Sequence, residues 1–252
     1  MTTENRPEDP ETDERSSVGG HDHPLRWRRL LFPLGVVHVL VVTLSLISPF
    51  LTGEERGATP FSAYFDVNGE GNFPTWWSVA QLAAASTSLV FVAVLAQHQK
   101  IRGAAAWWIL GGIVFLFSLD EGTELHERLD GLVLQFAEVP DFTFVWLILG
   151  VPLAAVVLIM AIISTRRLPE KSTRLIVLGI ATLLFAAVGL EFVAGELIRL
   201  GAPVIALELL SHLEEFMELI AGSLLLVAPL AAVRTRTSGR ATSFTLMDRD
   251  RR

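Results

Sequence analysis

The sequence contains no cysteine among its 252 residues, and this absence narrows the chemistry open to it. A disulfide framework, a thiolate metal site and a cysteine nucleophile are all excluded. Several enzyme signatures are missing as well, including HExxH, the Walker A phosphate loop, the GxSxG nucleophile turn and the glycine pattern of dinucleotide-binding folds. The side chains left for catalysis or metal binding are chiefly carboxylates and histidines.

Charge is missing from long stretches of the chain. Hydrophobic residues make up 51% of the sequence and the mean hydropathy is +0.49, which excludes a disordered or ordinary soluble protein. We predict an all-α, polytopic membrane helix bundle in contact with the lipid bilayer, with no indication of nucleic-acid binding. Gly150 and Pro152 are predicted to bend the fourth helix. The six predicted transmembrane spans cover residues 30–51, 75–97, 104–124, 142–164, 175–200 and 204–233.

Positive charge is nearly absent from one side of this topology. Of the 20 Lys and Arg residues, all but Arg56, Arg128 and Arg199 lie in the two tails or in the turns after the second and fourth spans. Cytoplasmic loops of membrane proteins carry an excess of Lys and Arg. Both termini are therefore predicted to be cytoplasmic in a cell-membrane protein. The predicted regions are a disordered tail (1–25), a six-span domain (26–233) and a basic tail (234–252).

Acidic residues occur where three apolar spans should continue. Spans 3, 5 and 6 have uncharged runs of only about 24 Å at helical rise, against a hydrocarbon core of about 30 Å. Their acids lie within Asp120–Asp130, Glu191–Glu196 and Glu208–Glu218, all at the non-cytoplasmic ends. Intramembrane ionisable residues are costly and functional by default. The sequence therefore predicts a polar site in the outer-leaflet half, formed by spans 3, 5 and 6.

Helical spacing selects the side chains that can share this site. Glu208, His212 and Glu215 follow an i, i+4, i+7 progression and lie within about 60° of one another. Glu218 borders that face, whereas Glu214 and His126 are predicted to point elsewhere. Glu127 and Asp130 are expected to be solvated interfacial acids. The predicted ligands are Glu121, Glu124, Glu191, Glu208, His212 and Glu215.

Two observations favour a bound cation over ordinary ion pairs at this site. Arg128 and Arg199 are the cations counted nearby, too few to neutralise about ten acids. Acids at helix carboxyl ends oppose the helix dipole, so they must be protonated, hydrated or metal-bound. Carboxylates and imidazole on bundle helices usually hold Fe, Mn or Zn. The predicted cofactor is therefore a divalent metal of this group.

The acidic pattern resembles the di-iron carboxylate proteins in part. Those proteins carry Glu-x-x-His twice together with two single glutamates. The nearest pieces here are Glu208-x-x-x-His212, His212-x-x-Glu215 and Glu121-x-x-x-x-His126. Because the spacing differs, the resemblance implies a related kind of site and not membership of that family.

Three functions remain open from the sequence. The first is a membrane metalloenzyme acting on a lipid or other apolar substrate, with Glu218 as the general base. The second is a proton- or cation-coupled transporter using the same glutamates. Against it, His38 is the single ionisable residue that continues into the inner half of any span. The third is a membrane scaffold or assembly protein with an acidic extracytoplasmic surface.

Overall fold

The structure is a computed structural model that describes residues 21–135, 143–238 and 241–247. Predictions for residues 1–20, for the start of the fourth span at residue 142 and for residues 248–252 lie outside the described residues. The described part of the chain is 74% helical, which fits an all-α helix bundle. Its helices are α1 (Arg28–Thr52), α2 (Pro60–Tyr64), α3 (Phe73–His98), α4 (Ala104–Thr123), α5 (Leu129–Leu134), α6 (Leu147–Thr165), α7 (Glu170–Leu184), α8 (Glu191–Arg199) and α9 (Val204–Leu230).

Five helical segments in the described part of the chain are long and apolar enough to cross a membrane. They are α1, α3, α4, α6 and the continuous run Glu170–Arg199, in which a π-helical turn, Phe185–Leu190, joins α7 to α8. Helix α9 has 27 residues, or about 40 Å at helical rise, so it is long enough to cross a membrane. It is not one of the five because its glutamates make it too highly charged. The protein is therefore a membrane protein with at least these five membrane-capable segments.

Local sequence signals account for where several helices begin and end. Helix α3 begins after Asn72, whose side chain accepts a hydrogen bond from the backbone N–H of Thr75. Helix α1 ends at Gly53 in the left-handed conformation, which glycine adopts at little cost. Helix α4 ends differently, because Glu124 takes the left-handed conformation at φ 51°. The predicted helix therefore passes Gly122 but stops at Thr123.

Small residues allow the central helices to approach closely. Helix α3 packs against α4 and α9, and α7 packs against α9. A Cβ atom added at Gly179 of α7 would lie 2.9 Å from Cγ of Leu225 on α9. One added at Gly111 of α4 would lie 3.0 Å from Val90 on α3. Membrane helices commonly associate through such small residues, since water provides no driving force between them.

A small antiparallel sheet closes one end of the bundle, an element that the sequence did not predict. Its strands are β1 (His21–Pro24), β2 (Val233–Ser238) and β3 (Ala241–Leu246), in the order β1-β2-β3. The Gln99 amide ties the α3–α4 turn to this sheet, donating to the Phe244 carbonyl at 2.9 Å. Gly103 in the same turn lies against Leu168 of the α6–α7 turn. The basic turns and the sheet thus share one end.

Candidate functional site

A cavity of about 480 Å³ lies at the end of the bundle opposite the sheet. It is lined mainly by residues of α4, α7–α8 and α9, together with the α2–α3 loop and the loop after α4. Apolar side chains such as Phe117, Leu183 and Leu207 form part of its wall. Its acidic lining comprises Glu70, Asp120, Glu121, Glu124, Glu127, Glu191, Glu208, Glu214, Glu215 and Glu218.

The cavity brings together most of the residues selected from the sequence. Five of the six predicted ligands and the predicted base line it. Glu196, the other acid of predicted span 5, is not among the lining residues and accepts a hydrogen bond from Arg199 on the surface at 2.6 Å. The members found in the cavity are Glu121, Glu124, Glu191, Glu208, Glu215 and Glu218.

His212 does not line the cavity, which corrects its predicted place beside Glu215. Its Nε2 atom lies 2.8 Å from Nη1 of Arg56 and 3.0 Å from Oγ of Ser45, and Nδ1 lies 2.6 Å from the Glu208 carbonyl. An Nδ1–H donating to that carbonyl leaves Nε2 as the acceptor from Arg56. Both ring nitrogens are therefore engaged by the protein, and the 3%-exposed ring packs towards α1.

His212 was misplaced because the cavity faces a different side of α9 from the side that was predicted. At 100° per residue, the α9 residues that line it span an arc of about 120° centred near Ser211. Glu214 and Glu218 fall within this arc, whereas His212 lies about 100° from its centre. The prediction that Glu214 points elsewhere was therefore wrong, because the predicted face was centred near Glu208 and not near Ser211.

Arg56 lies beside the cavity and was not predicted from the sequence to belong to the site. It lies in the loop after α1, where it is the one cation among several acids. Its Nη1 donates to the carbonyl and hydroxyl of Ser45 at 2.8 and 2.9 Å, and its Nη2 lies 3.4 Å from Glu208 Oε2. The side chain is only 10% exposed, so it holds α1, α9 and this loop together at the cavity edge.

His126 faces the cavity, contrary to its predicted orientation. Because Glu124 reverses the chain, the backbone N–H of His126 donates to Oδ1 of Asp120 at 2.8 Å. The ring nitrogen Nδ1 lies 3.0 Å from Oδ2 of the same carboxylate. Glu127, predicted to be a solvated interfacial acid, also lines the cavity as a result of this turn.

Trp146 connects this turn to the acids of α8. Its indole lies 4.9 Å from the His126 ring, between centroids, and its Nε1–H donates to Oε1 of Glu191 at 2.9 Å. Its backbone N–H donates to the Asp130 carboxylate, so that acid has a structural partner within the protein. Glu191 itself follows directly after the π-helical turn. Such turns insert an extra residue and often occur at functional sites.

Two groups outside the helical spans have shifted pKa values. Burial lowers the pKa of His126, but the hydrogen bond and charge of Asp120 outweigh it and raise that pKa to about 9. Burial raises the pKa of Glu70, and the charges of Glu124 and Glu127 raise it further. His126 therefore carries a positive charge at neutral pH, whereas Glu70 is easier to protonate than an exposed glutamate.

The raised pKa of His126 predicts a pH-dependent contribution to stability. A raised histidine pKa stabilises fully below the unfolded value near 6.5, and this stabilisation is lost as the pH rises through about 9. With the side chain 31% exposed, solvent screening limits the effect to about 1 kcal/mol, or about 2–4 °C. We expect wild type to lose this amount between pH 7 and pH 10, relative to His126→Gln.

Thermal unfolding of detergent-solubilised protein across this pH range measures the difference. Asp120→Asn is the matched control, since it removes the partner and should flatten the profile in the same way. Parallel profiles for all three proteins would contradict the assigned ion pair.

Among the described residues, no three His, Asp or Glu side chains converge closely enough to hold a bare metal ion. The acids instead line a cavity wide enough for a hydrated or larger cation. His126 is the one described lining residue with a cationic side chain, and Arg56 reaches Glu208 at the edge. Acids this concentrated must be protonated, solvated or balanced by a bound cation.

Fold and cavity together define a helical membrane protein with an acidic internal cavity. The chain belongs to the family described as a domain of unknown function (DUF8692), whose model matches residues 33–233. That match extends from α1 to the start of β2 and includes every acid that lines the cavity. Comparison with curated proteins and with solved structures gives no match.

Proposed function

We propose that this protein binds a divalent cation in its acidic cavity. One observation carries the proposal: ten carboxylates line a single cavity of about 480 Å³, and the positive side chains in contact with them are few. A divalent cation would neutralise part of this charge where burial makes carboxylates costly to ionise.

The donor set indicates which ions fit best. With His212 engaged by Arg56 and His126 protonated, the lining offers nine glutamates and one aspartate. Oxygen donor sets of this kind suit Mn²⁺ better than Zn²⁺ or Fe²⁺. Binding requires that carboxylate rotamers close on the ion, or that the ion retains some of its water ligands.

We further propose that α9 is the sixth span and that the cavity opens on the non-cytoplasmic side of the cell membrane. The basic turns lie at the sheet end and the acids at the other end, in the charge distribution of the positive-inside rule. The acids of α9 face a polar cavity, which removes the main objection to placing this helix in the bilayer.

A catalytic role would use the same cavity. A bound metal supplies Lewis-acid chemistry, and the mixed lining would accommodate a lipid or other substrate with an apolar portion beside a polar group. Glu218 lies deepest along α9 among its acids and is our candidate for the general base.

Elemental analysis of purified protein tests cation binding directly. Wild type expressed and dialysed with Mn²⁺ is expected to retain about one ion per chain. The double variant Glu215→Gln/Glu218→Gln should bind at least tenfold more weakly, because it removes two adjacent carboxylates.

Glu196→Gln is the matched control for this experiment. It neutralises an acid of α8 that pairs with Arg199 outside the cavity lining, so its Mn²⁺ content should equal that of wild type. Metal-free wild type after metal-replete expression would refute the proposal.

A second candidate is a proton-coupled membrane protein. It is favoured by the polar side chains of α3 that lie next to the innermost acids. Gln81 contacts α9 at Gly222, one turn beyond Glu218, and its amide binds Ser223 at 2.7 Å. These polar groups continue beyond the acids along α9, in the direction of His38.

A further inference from the structure

Three buried polar atoms on α1 and α3 have no hydrogen-bond partner within the described protein. They are Nε2 of His38 on α1, and Nε1 of Trp77 and Oε1 of Gln81 on α3. His38 is 1% exposed and Gln81 is 5% exposed. Buried polar groups are nearly always satisfied, and each that is not costs about 1–3 kcal/mol. Three such atoms together therefore require a common explanation.

The three side chains lie close enough to share one partner. Trp77 and Gln81 are four residues apart on α3 and so share a helix face. The ring of His38 lies 6.4 Å from that of Trp77, between centroids, and Gln81 lies near His38 without a hydrogen bond of normal geometry between them. They form a group at the α1–α3 contact, which we call the inner polar group (His38, Trp77 and Gln81).

The orientation of the Gln81 amide is fixed by α9. Its Nε2 donates to the carbonyl of Leu219 at 3.3 Å and to Oγ of Ser223 at 2.7 Å. A carbonyl requires a donor, so the amide cannot be reversed without losing that bond. Oε1 must therefore point away from this contact as an acceptor.

The donors and acceptors of this group match those of a water molecule. Water can accept the indole N–H of Trp77 and donate to both Oε1 of Gln81 and Nε2 of a neutral His38. Three hydrogen bonds are also the usual number for a buried water. A carboxylate or a cation in place of the water would leave at least one of the three atoms without a complementary partner.

We propose that the inner polar group binds a water molecule and extends the acidic cavity as a proton path to His38. This inference rests on the proton-coupled function proposed above. It assigns the residues that would carry the proton beyond Glu218. Gly222, against which Gln81 packs, lies one helical turn, or about 6 Å, beyond Glu218 on α9. In the step, an O–H bond of the Glu218 carboxyl breaks and an N–H bond forms at His38 Nε2. A carboxylate and an imidazolium result.

Water–indole cross-relaxation in ¹⁵N-tryptophan-labelled protein in nanodiscs tests the water site. The signal of Trp77, assigned with Trp77→Phe, should show a cross-peak to water. Gln81→Leu, which removes one of the proposed partners of the water, provides the matched control and should weaken this cross-peak. Absence of the Trp77 cross-peak would overturn the water site.

Proton flux into liposomes containing a pH-sensitive dye tests the path. We expect His38→Phe, Gln81→Leu and the conservative Trp77→Phe each to slow protein-dependent flux at least fivefold. Gln99→Leu should leave it unchanged, because that glutamine binds β3 at the sheet end. Trp77→Phe keeps an aromatic ring in place, so it remains informative where the other variants fold poorly.

The outcomes separate this path from cation binding. Wild-type flux no greater than that of empty liposomes, or equal flux in wild type and the three variants, would overturn the path even where Mn²⁺ binding is confirmed. Slowed flux in the variants supports the path even where elemental analysis finds no metal.

Discussion

Replacing Arg56 by alanine is expected to lower the free energy of unfolding by about 3 kcal/mol. The guanidinium donates to the carbonyl and hydroxyl of Ser45 and to Nε2 of His212, at 2.8 to 2.9 Å. Removing it deletes these charge-assisted hydrogen bonds, while Ser48 Oγ, the Val67 N–H and the Ser45 hydroxyl remain as donors to the three acceptors. The loss therefore corresponds to about one or two such bonds, at about 1.5–3 kcal/mol each. Glu208, 34% exposed, can regain water and contributes less. Reversible unfolding in mixed detergent micelles measures the loss.

Arg174→Ala provides the matched control for this experiment. That arginine pairs with Glu170 four residues earlier on α7, and its side chain is 77% exposed. Such pairs contribute about 0.3–0.5 kcal/mol, so the variant should unfold nearly as wild type does. Equal losses for the two arginines would show that the Arg56 network does not stabilise the fold.

The sequence predicted the membrane class and the common side of the acids because both depend on local properties. Hydropathy is a property of each span by itself. If six spans alternate in direction, the acidic ends of spans 3, 5 and 6 are predicted to lie on the same side of the membrane. The metal, the enzyme role and the sidedness of the termini stay predictions. The cavity acids Glu191, Glu208 and Glu215 were found in this way.

The remaining features depend on contacts between distant parts of the chain. His212 was misplaced because its partners come from α1 and from Arg56, which is 156 residues earlier. Helical spacing gives angles within α9 but not which angle faces the cavity. His126 was missed because Glu124 adopts a left-handed conformation that spacing rules cannot anticipate. The sequence did carry one signal for Arg56: a single arginine in an otherwise acidic loop is expected to pair with nearby carboxylates.

Replacing Gly150 by alanine is expected to lower the free energy of unfolding by about 2 kcal/mol and to disturb the cavity from outside it. A Cβ atom there would lie 2.2 Å from Cζ3 and 2.5 Å from Cε3 of Trp146. The indole is rigid and the residue is 5% exposed, so the ring must move as a whole. Overpacking costs about 1–3 kcal/mol, which exceeds the helix-propensity gain of about 1 kcal/mol. Gly150 thus accommodates this ring, a role beyond the predicted helix bend.

The displaced ring should also lose its hydrogen bond to Oε1 of Glu191, now 2.9 Å long, and so free that carboxylate. We expect Mn²⁺ affinity to fall about tenfold, because a ligand held in place by Trp146 becomes mobile. Gly112→Ala is the control: nothing lies within 4 Å of its added Cβ, so it should stabilise α4 by up to about 1 kcal/mol. If Gly150→Ala matched that control in both stability and Mn²⁺ affinity, Trp146 would not position Glu191.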